Sequence, residues 1–133
     1  MTFRTVRTSF FYSLTGLLLG LALACGGGTK PTSNISPQEV LSFAGHADAP
    51  LVLDVRSPEE FASGHVPGAQ NIEYDKVAAH LGELGAPREV VVYCESGGRA
   101  AKAATVLAAA GFEVKHLTGD MSGWREQGLP TER

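Results

Sequence analysis

The residues of this chain that are best suited to chemistry form one short run, residues 94–99, with the sequence Cys-Glu-Ser-Gly-Gly-Arg. Cys94 supplies a nucleophilic sulfur. The successive glycines Gly97 and Gly98 permit a tight turn whose backbone N–H groups converge on one point. Arg99 adds a permanent positive charge. Because N–H groups and cations both favour an anion, we expect Cys94 to be a reactive thiolate in an anion-binding loop.

The segments around this loop predict a parallel α/β sheet. Residues 89–93 form a β-branched strand directly before Cys94, and the alanine-rich residues 98–110 predict a helix directly after it. Ligands bind at the carboxyl ends of parallel strands, where helix N-termini offer free N–H groups. Strand and helix patterns alternate along the rest of the chain, which predicts one α/β domain with a sheet of about five strands and helices on both faces. The other predicted strands are 51–55, 70–73 and 112–117, and the other predicted helices are 37–44, 58–63, 75–84 and 121–127.

Composition and charge restrict the class of function. The chain has 133 residues, of which 44% are hydrophobic and 19% charged, as is typical of one globular domain. Its formal net charge of −3 and the lack of any lysine- or arginine-rich cluster in the sequence argue against nucleic-acid binding. The two cysteines are far apart and the four histidines have no ligand spacing, so we expect no metal site and no cofactor.

Residues 1–24 have the pattern of an export signal. Arg4 and Arg7 precede an uncharged apolar stretch, residues 10–24, which is shorter than the roughly 20 residues that a membrane span needs. We therefore expect the protein to be exported to the cell envelope or periplasm.

The end of this signal allows two kinds of processing. Ala22 and Ala24 form a small-x-small site that a general signal peptidase could cut, and the same residues resemble a bacterial lipobox in which Cys25 would be lipidated. The Gly-rich residues 25–34 predict a flexible tether and favour the lipoprotein. The folded domain is predicted at residues 35–133, tethered to a membrane only through lipid.

Four stretches of the sequence resemble the rhodanese family, in the same order and at the same spacing. Residues 94–99 fit the family pattern Cys-x-Ser/Thr-Gly-x-Arg, and the similarity runs from about residue 35 to residue 130. The other landmarks are residues 53–61 with Leu-Asp-Val-Arg and Glu-Glu-Phe, residues 64–72 with Gly-His-Val-Pro-Gly-Ala and Asn-Ile, and residues 117–130 with Leu-Thr-Gly-Asp-Met-Ser-Gly-Trp and Gly-Leu-Pro. The resemblance implies a single rhodanese-like domain.

The resemblance also implies a sulfurtransferase that carries a sulfane sulfur as a persulfide on Cys94. The thiolate would attack a donor, thiosulfate or a persulfide, and a thiol or cyanide-type acceptor would remove the sulfur. Rhodanese-related phosphatases have one more residue between the cysteine and the arginine of this loop, so its length here favours one sulfur atom over a phosphate. The residues implied to bind the persulfide are Glu95, Ser96, Gly97, Gly98 and Arg99.

Two residues depart from the family pattern. Glu95 places a carboxylate beside the nucleophile, where it should oppose an anionic donor and partly offset Arg99. We interpret Glu95 as favouring a less negatively charged donor, such as a protein or low-molecular-weight persulfide. Asp120 stands where the family often has a second glycine, so we expect the turn before the last helix to differ.

Supporting roles are predicted for a few residues outside the loop. Asp54 and Arg56 lie at the carboxyl end of a predicted strand, where an ion pair or a turn cap is expected, and His65 is expected to shape a turn. His116 is expected to be an ordinary surface or core residue. The alternative to an enzyme is an envelope module that binds a partner or carries a persulfide; family modules that only bind partners usually lack the cysteine, so Cys94 favours the enzyme.

Overall fold

Strands and helices alternate through the part of the chain that the computed structural model describes, residues 32–133, and the predicted signal peptide and lipidation site lie outside this part. No helix in residues 32–133 is long and apolar enough to span a membrane. The strands are β1 (Ser33–Ile35), β2 (Leu51–Asp54), β3 (Gln70–Asn71), β4 (Glu89–Tyr93) and β5 (Glu113–Leu117). The helices are α1 (Pro37–Ser42), α2 (Pro58–Ser63), α3 (Val77–His80), α4 (Gly98–Ala109) and α5 (Asp120–Glu126), and a 3-10 turn at Leu81–Leu84 follows α3.

The five strands form one parallel sheet in the order β1-β5-β4-β2-β3. The predicted parallel sheet of about five strands is thereby confirmed. Strand β4 is central, so the loop after it emerges between the ends of β5 and β2. This is the place where a parallel sheet presents its ligand sites.

The alternation of side chains along β4 sends them into two separate cores. Val90, Val92 and Cys94 pack on the side covered by α3 and α4. Val91 and Tyr93 pack on the other side, with buried residues of α1 and α5. Both faces of the sheet are therefore covered by helices, as predicted, and the period of a strand directs Cys94 toward α4.

Strand β1 begins before the predicted domain boundary. It pairs with β5, with Ser33 opposite Lys115 and Ile35 opposite Leu117. The prediction of a flexible tether over residues 25–34 is therefore wrong for Ser33 and Asn34. An edge strand that buries only Ile35 has no apolar alternation to distinguish it from a polar linker.

The helix starts follow the predicted capping pattern, whereas one predicted helix is divided. Ser36 and Ser57 accept hydrogen bonds from the backbone of Glu39 and Glu60, so α1 and α2 both begin with a capping box. The helix predicted over residues 75–84 is a short α3 followed by the 3-10 turn. A glycine at position 82 lowers helix propensity in the middle of this stretch.

Candidate active site

Cys94 is the first residue after β4, and its side chain is almost completely buried against α4, with 1% of the residue exposed. The backbone N–H of Gly97 donates a hydrogen bond to the Sγ atom, at 3.0 Å. A donor at this distance stabilises negative charge on the sulfur more than it stabilises the neutral thiol. The contact places the backbone of the following turn on the sulfur.

The turn at Gly97 strongly favours a glycine. Its φ of 101° lies in the left-handed region, and a Cβ there would lie 3.2 Å from Oδ2 of Asp120 and 3.5 Å from Cε1 of His116. Gly97 also caps α4, whose first N–H groups have no partner within the helix. Ser96 and Gly98 are exposed on either side of this turn. Loop and helix end thus present N–H groups on the side of the sulfur, which suits an anion.

The backbone of the loop is held by the start of α5. The carbonyl of Cys94 accepts a hydrogen bond from the N–H of Met121 at 3.0 Å, and the carbonyl of Glu95 accepts one from Ser122 at 3.2 Å. The N–H of Cys94 donates to Oδ1 of Asp120 at 2.9 Å. These three hydrogen bonds to the first turn of α5 fix the backbone on either side of the nucleophilic sulfur.

Asp120 has the left-handed backbone that a glycine at this position would favour, with a φ of 53°. The turn before α5 therefore keeps a backbone that suits glycine, and it differs from the family pattern in carrying the side chain of Asp120. Its carboxylate is buried and lies 3.1 and 3.0 Å from Nε2 of His116. This hydrogen bond raises the pKa of His116 above its ordinary value, against the lowering effect of burial.

His116 and Asp120 are the site residues that the sequence did not reveal. The prediction for His116 was an ordinary surface or core position, and Asp120 was noted only as a departure from a pattern. A histidine and an aspartate four residues apart give no signal by themselves. The turn between β5 and α5 brings them together under the loop, and its left-handed Gly119 and Asp120 cannot be inferred from spacing.

Arg99 is neutralised by Glu60 of α2. Two parallel hydrogen bonds, at 2.7 and 2.8 Å, join the guanidinium to the carboxylate. These hydrogen bonds raise the pKa of Arg99, and the nearby Cys94 raises it further. They also lower the pKa of Glu60 to about 2. The expectation that Glu95 offsets Arg99 is therefore wrong, because Arg99 pairs with a carboxylate from another helix.

Glu95 instead faces two other arginines. Its carboxylate accepts a hydrogen bond from Arg125 of α5 and lies 3.6 Å from Nη1 of Arg56. These side chains line a cleft of about 550 Å³ beside the loop, together with Glu60 and Arg133. Three arginines and two glutamates line the cleft, so its lining carries charges of both signs.

Asp54 and Arg56 form a buried, bidentate ion pair. Nε of Arg56 donates to Oδ1 of Asp54 at 3.0 Å and Nη2 donates to Oδ2 at 2.7 Å, and Nη2 also donates to the carbonyl of Gly64 at 2.8 Å. Burial alone would lower the pKa of Arg56, but Asp54 raises it. The side-chain amide of Asn71 donates to the backbone carbonyls of Asp54 and Arg56. The pair therefore fixes the end of β2 next to the cleft.

His65 holds the C-terminal segment. Its Nδ1 lies 2.9 Å from the carbonyl of Phe61, and its backbone forms an antiparallel bridge with Glu132. Its Nε2 faces the carboxylate of Glu132 at 3.9 Å. These contacts suit the turn-shaping role predicted for His65.

The arrangement defines a class of site: a nucleophilic cysteine at the carboxyl end of the central strand of a parallel α/β sheet, with the N–H of the following turn on its sulfur. Within residues 32–133, no group of three or more histidine, cysteine or acidic side chains is placed to hold a metal ion. The chemistry that this class supports is transfer of a group through a covalent cysteine intermediate.

Comparison with known proteins gives the family. The model of the rhodanese-like domain matches residues 36–127, and the chain belongs to this family. It is 40% identical to thiosulfate sulfurtransferase 16 of Arabidopsis thaliana, over 69% of this chain and 84% of the relative. It is 35% identical to a sulfurtransferase of Allochromatium vinosum, over 60% of this chain and 76% of the relative. A rhodanese-related protein from Thermoplasma volcanium superposes with a TM-score of 0.67 and 26% identity, covering 75% of this chain and 97% of that one.

Proposed function

We propose that this protein is a sulfurtransferase that moves a sulfane sulfur from a donor to a nucleophilic acceptor through a persulfide on Cys94. The observation that carries the proposal is the hydrogen bond from the N–H of Gly97 to Sγ of Cys94, in a loop of the length that favours a single sulfur. The sulfurtransferases among its relatives support the same reaction class.

The reaction has two balanced steps. The Cys94 thiolate attacks the sulfane sulfur of the donor, an S–S bond forms, and the donor's S–S bond breaks with its electron pair leaving on sulfite or on a thiolate. The terminal sulfur of the persulfide then bears the negative charge, and the N–H groups at the start of α4 stabilise it. An acceptor nucleophile attacks this outer sulfur, and the Cys94 thiolate is the leaving group.

The cleft supports a donor that carries less negative charge than thiosulfate. Two of the three arginines that line the cleft, Arg56 and Arg125, already face Glu95, so the cleft offers an incoming dianion less attraction than free guanidinium groups would. A volume of about 550 Å³ leaves room for more than a five-atom anion. A persulfide of a small thiol or of a protein suits both features.

Loss of Cys94 tests the proposal most directly. In a thiosulfate-to-cyanide assay, Cys94→Ser should lower turnover at least about 10³-fold, as expected when a covalent nucleophile is removed. Incubation of the wild type with thiosulfate should add about 32 Da, the mass of one sulfur, and the variant should show no adduct. Cys25→Ser is the matched control and should leave turnover and adduct unchanged. Turnover that survives in Cys94→Ser would rule out the persulfide route.

A persulfide carrier is the second candidate function. The near-complete burial of Cys94 favours it, because a small acceptor reaches a buried sulfur slowly. The same experiment separates the two functions. An adduct of about 32 Da that persists in the presence of cyanide would indicate a carrier, since one sulfur would be held but not transferred.

We also propose that the domain works in the cell envelope, tethered through lipid on Cys25. The support is the basic and then apolar pattern of residues 1–24 and the Gly-rich stretch that follows Cys25. Mass spectrometry of the native protein should find a mature N-terminus at Cys25 that carries acyl chains. An N-terminus at Cys25 without acyl mass would contradict the lipid tether but not export.

A further inference from the structure

The carboxylate of Asp120 is placed where its charge acts on the nucleophile. Oδ1 accepts the N–H of Cys94 at 2.9 Å, and Oδ2 lies only 3.2 Å from the point where a side chain at position 97 would begin. Asp120 is 6% exposed, so water screens its charge little. A carboxylate in this position holds the loop, but its negative charge opposes a thiolate or a persulfide anion on Cys94.

His116 is the side chain that offsets this charge. Its Nε2 faces both oxygens of the carboxylate, and its pKa is raised by the hydrogen bond and charge of Asp120. The strands on either side of β5 place the uncharged Asn34 of β1 and Val92 of β4 opposite His116, and Lys115 on the same strand pairs with Glu89. From the loop, Gly97 lies next to the ring, so Asp120 is the ionisable group placed against it.

We propose that His116 and Asp120 act as a positioning pair, in which Asp120 fixes the backbone of the Cys94 loop and the charge on His116 keeps that carboxylate from disfavouring the sulfur anion. Neither residue touches the reacting sulfur. The inference rests on the proposed role of Cys94 as the sulfur-carrying nucleophile, and it adds the pH range in which the loop is best prepared for that role.

The sign of the pH effect follows from the pair. At pH values below the pKa of His116 the pair is an ion pair, and the sulfur anion faces no uncompensated carboxylate. As pH rises through that pKa, His116 loses its charge while Asp120 keeps its own. Replacing His116 with a neutral residue should therefore lower the reactivity of Cys94 most at low pH and little at high pH. If His116 were purely structural, the loss of reactivity would be the same at every pH.

Alkylation of Cys94 by iodoacetamide measures the reactive thiolate without requiring sulfur transfer. In the full chain, the tryptic peptide of residues 89–99 reports Cys94 separately from Cys25. His116→Gln should slow alkylation about tenfold at pH 6 and less than about twofold at pH 9, the effect of one uncompensated neighbouring charge on an ionisable group. His80→Gln is the matched control, because His80 also faces a carboxylate three residues away but belongs to α3.

A second variant makes the test independent of a folding defect in His116→Gln. Asp120→Asn keeps a hydrogen-bond acceptor and tolerates the left-handed backbone, but it removes the charge. Cys94 of Asp120→Asn should therefore be alkylated faster than wild type at pH 9. In the Asp120→Asn background, His116→Gln should change the rate at pH 6 by less than about twofold.

Several outcomes would overturn the pairing. If His116→Gln slowed the alkylation of Cys94 equally at pH 6 and pH 9, His116 would have a structural role. An unchanged alkylation rate would indicate no role. A tenfold loss that persists in the Asp120→Asn background would show that His116 acts through another group. If Cys94→Ser kept full sulfur transfer while these alkylation results held, the proposed function would fail and the pairing would stand.

Discussion

Two buried carboxylates lie on opposite sides of the central strand β4, and they have different counterions. Asp54, at the end of β2, is paired with Arg56, which stays charged at every physiological pH. Asp120, at the start of α5, is paired with His116, whose imidazole can lose its charge as pH rises. The first pair is a fixed part of the scaffold, and the second can change its charge while the fold stays the same.

The surroundings of the two carboxylates agree with this division. Asp54 also accepts the backbone N–H of Arg56, and the hydroxyl of the neighbouring Tyr93 accepts the N–H of Val66. Burial, with the charge of Asp54, raises the pKa of Tyr93, so its hydroxyl stays neutral beside the pair at physiological pH. Asp120 instead faces a ring that is partly open to solvent, and it holds the nucleophile itself.

The largest effect is expected when the fixed pair is broken. Arg56→Met leaves Asp54 fully buried without a counterion, and it should lower the free energy of unfolding by about 3–5 kcal/mol. Arg125→Met is the control, because it breaks an ion pair in which the arginine side chain is 48% exposed, and it should cost less than about 1 kcal/mol. Urea unfolding followed by circular dichroism measures both.

The double variant sharpens this test. Asp54→Asn in the Arg56→Met background removes the buried unpaired charge and should restore part of the lost stability. If Arg56→Met cost no more than Arg125→Met, the pair at Asp54 would not be a fixed part of the scaffold.

A smaller and pH-dependent effect is expected at the second pair. Because Asp120 raises the pKa of His116 above 6.5, the stabilisation from this pair is complete below about pH 6.5 and is lost as pH rises through the pKa of the folded state. His116→Gln should lower the free energy of unfolding by about 1.5–3 kcal/mol at pH 6, the range of a hydrogen bond to a charged group, and by less at pH 9. Urea unfolding at the two pH values, with His80→Gln as control, measures the difference. A penalty that grew with pH would contradict the assignment.

The sequence predicted those parts of the fold that depend on local pattern. The β-branched run of β4 and the alanine-rich α4 determine both the parallel sheet and the position of Cys94 between them. The capping boxes at Ser36 and Ser57 mark helix starts for the same reason, since both partners lie within three residues. Strand β1 was missed because an edge strand of three residues is recognised by its partner β5 and not by its own composition.

In the site, too, local features were predictable from the sequence and contacts with distant residues were not. The loop around Cys94 was predictable because its donors lie within six residues of the sulfur. The partners of Arg99 and Glu95 were not predictable, since Glu60 and Arg125 reach them from helices 39 and 30 residues away in the chain. His116 was missed for a related reason, because only the left-handed turn at Asp120 brings its ring to the carboxylate.

The smallest expected effect concerns Glu95, whose carboxylate lies between the fixed pair at Arg56 and the exposed Arg125. Glu95→Gln frees Arg125 and removes the negative charge beside Arg56, so the KM for thiosulfate should fall about threefold with little change in kcat, as for a partly screened surface charge. The gain should shrink in 0.5 M NaCl, where screening is stronger. Glu126→Gln, an exposed neighbour on α5, is the matched control and should leave KM unchanged. Steady-state sulfur transfer to cyanide measures all three proteins, and equal KM values for wild type and Glu95→Gln would show that Glu95 does not influence the choice of donor.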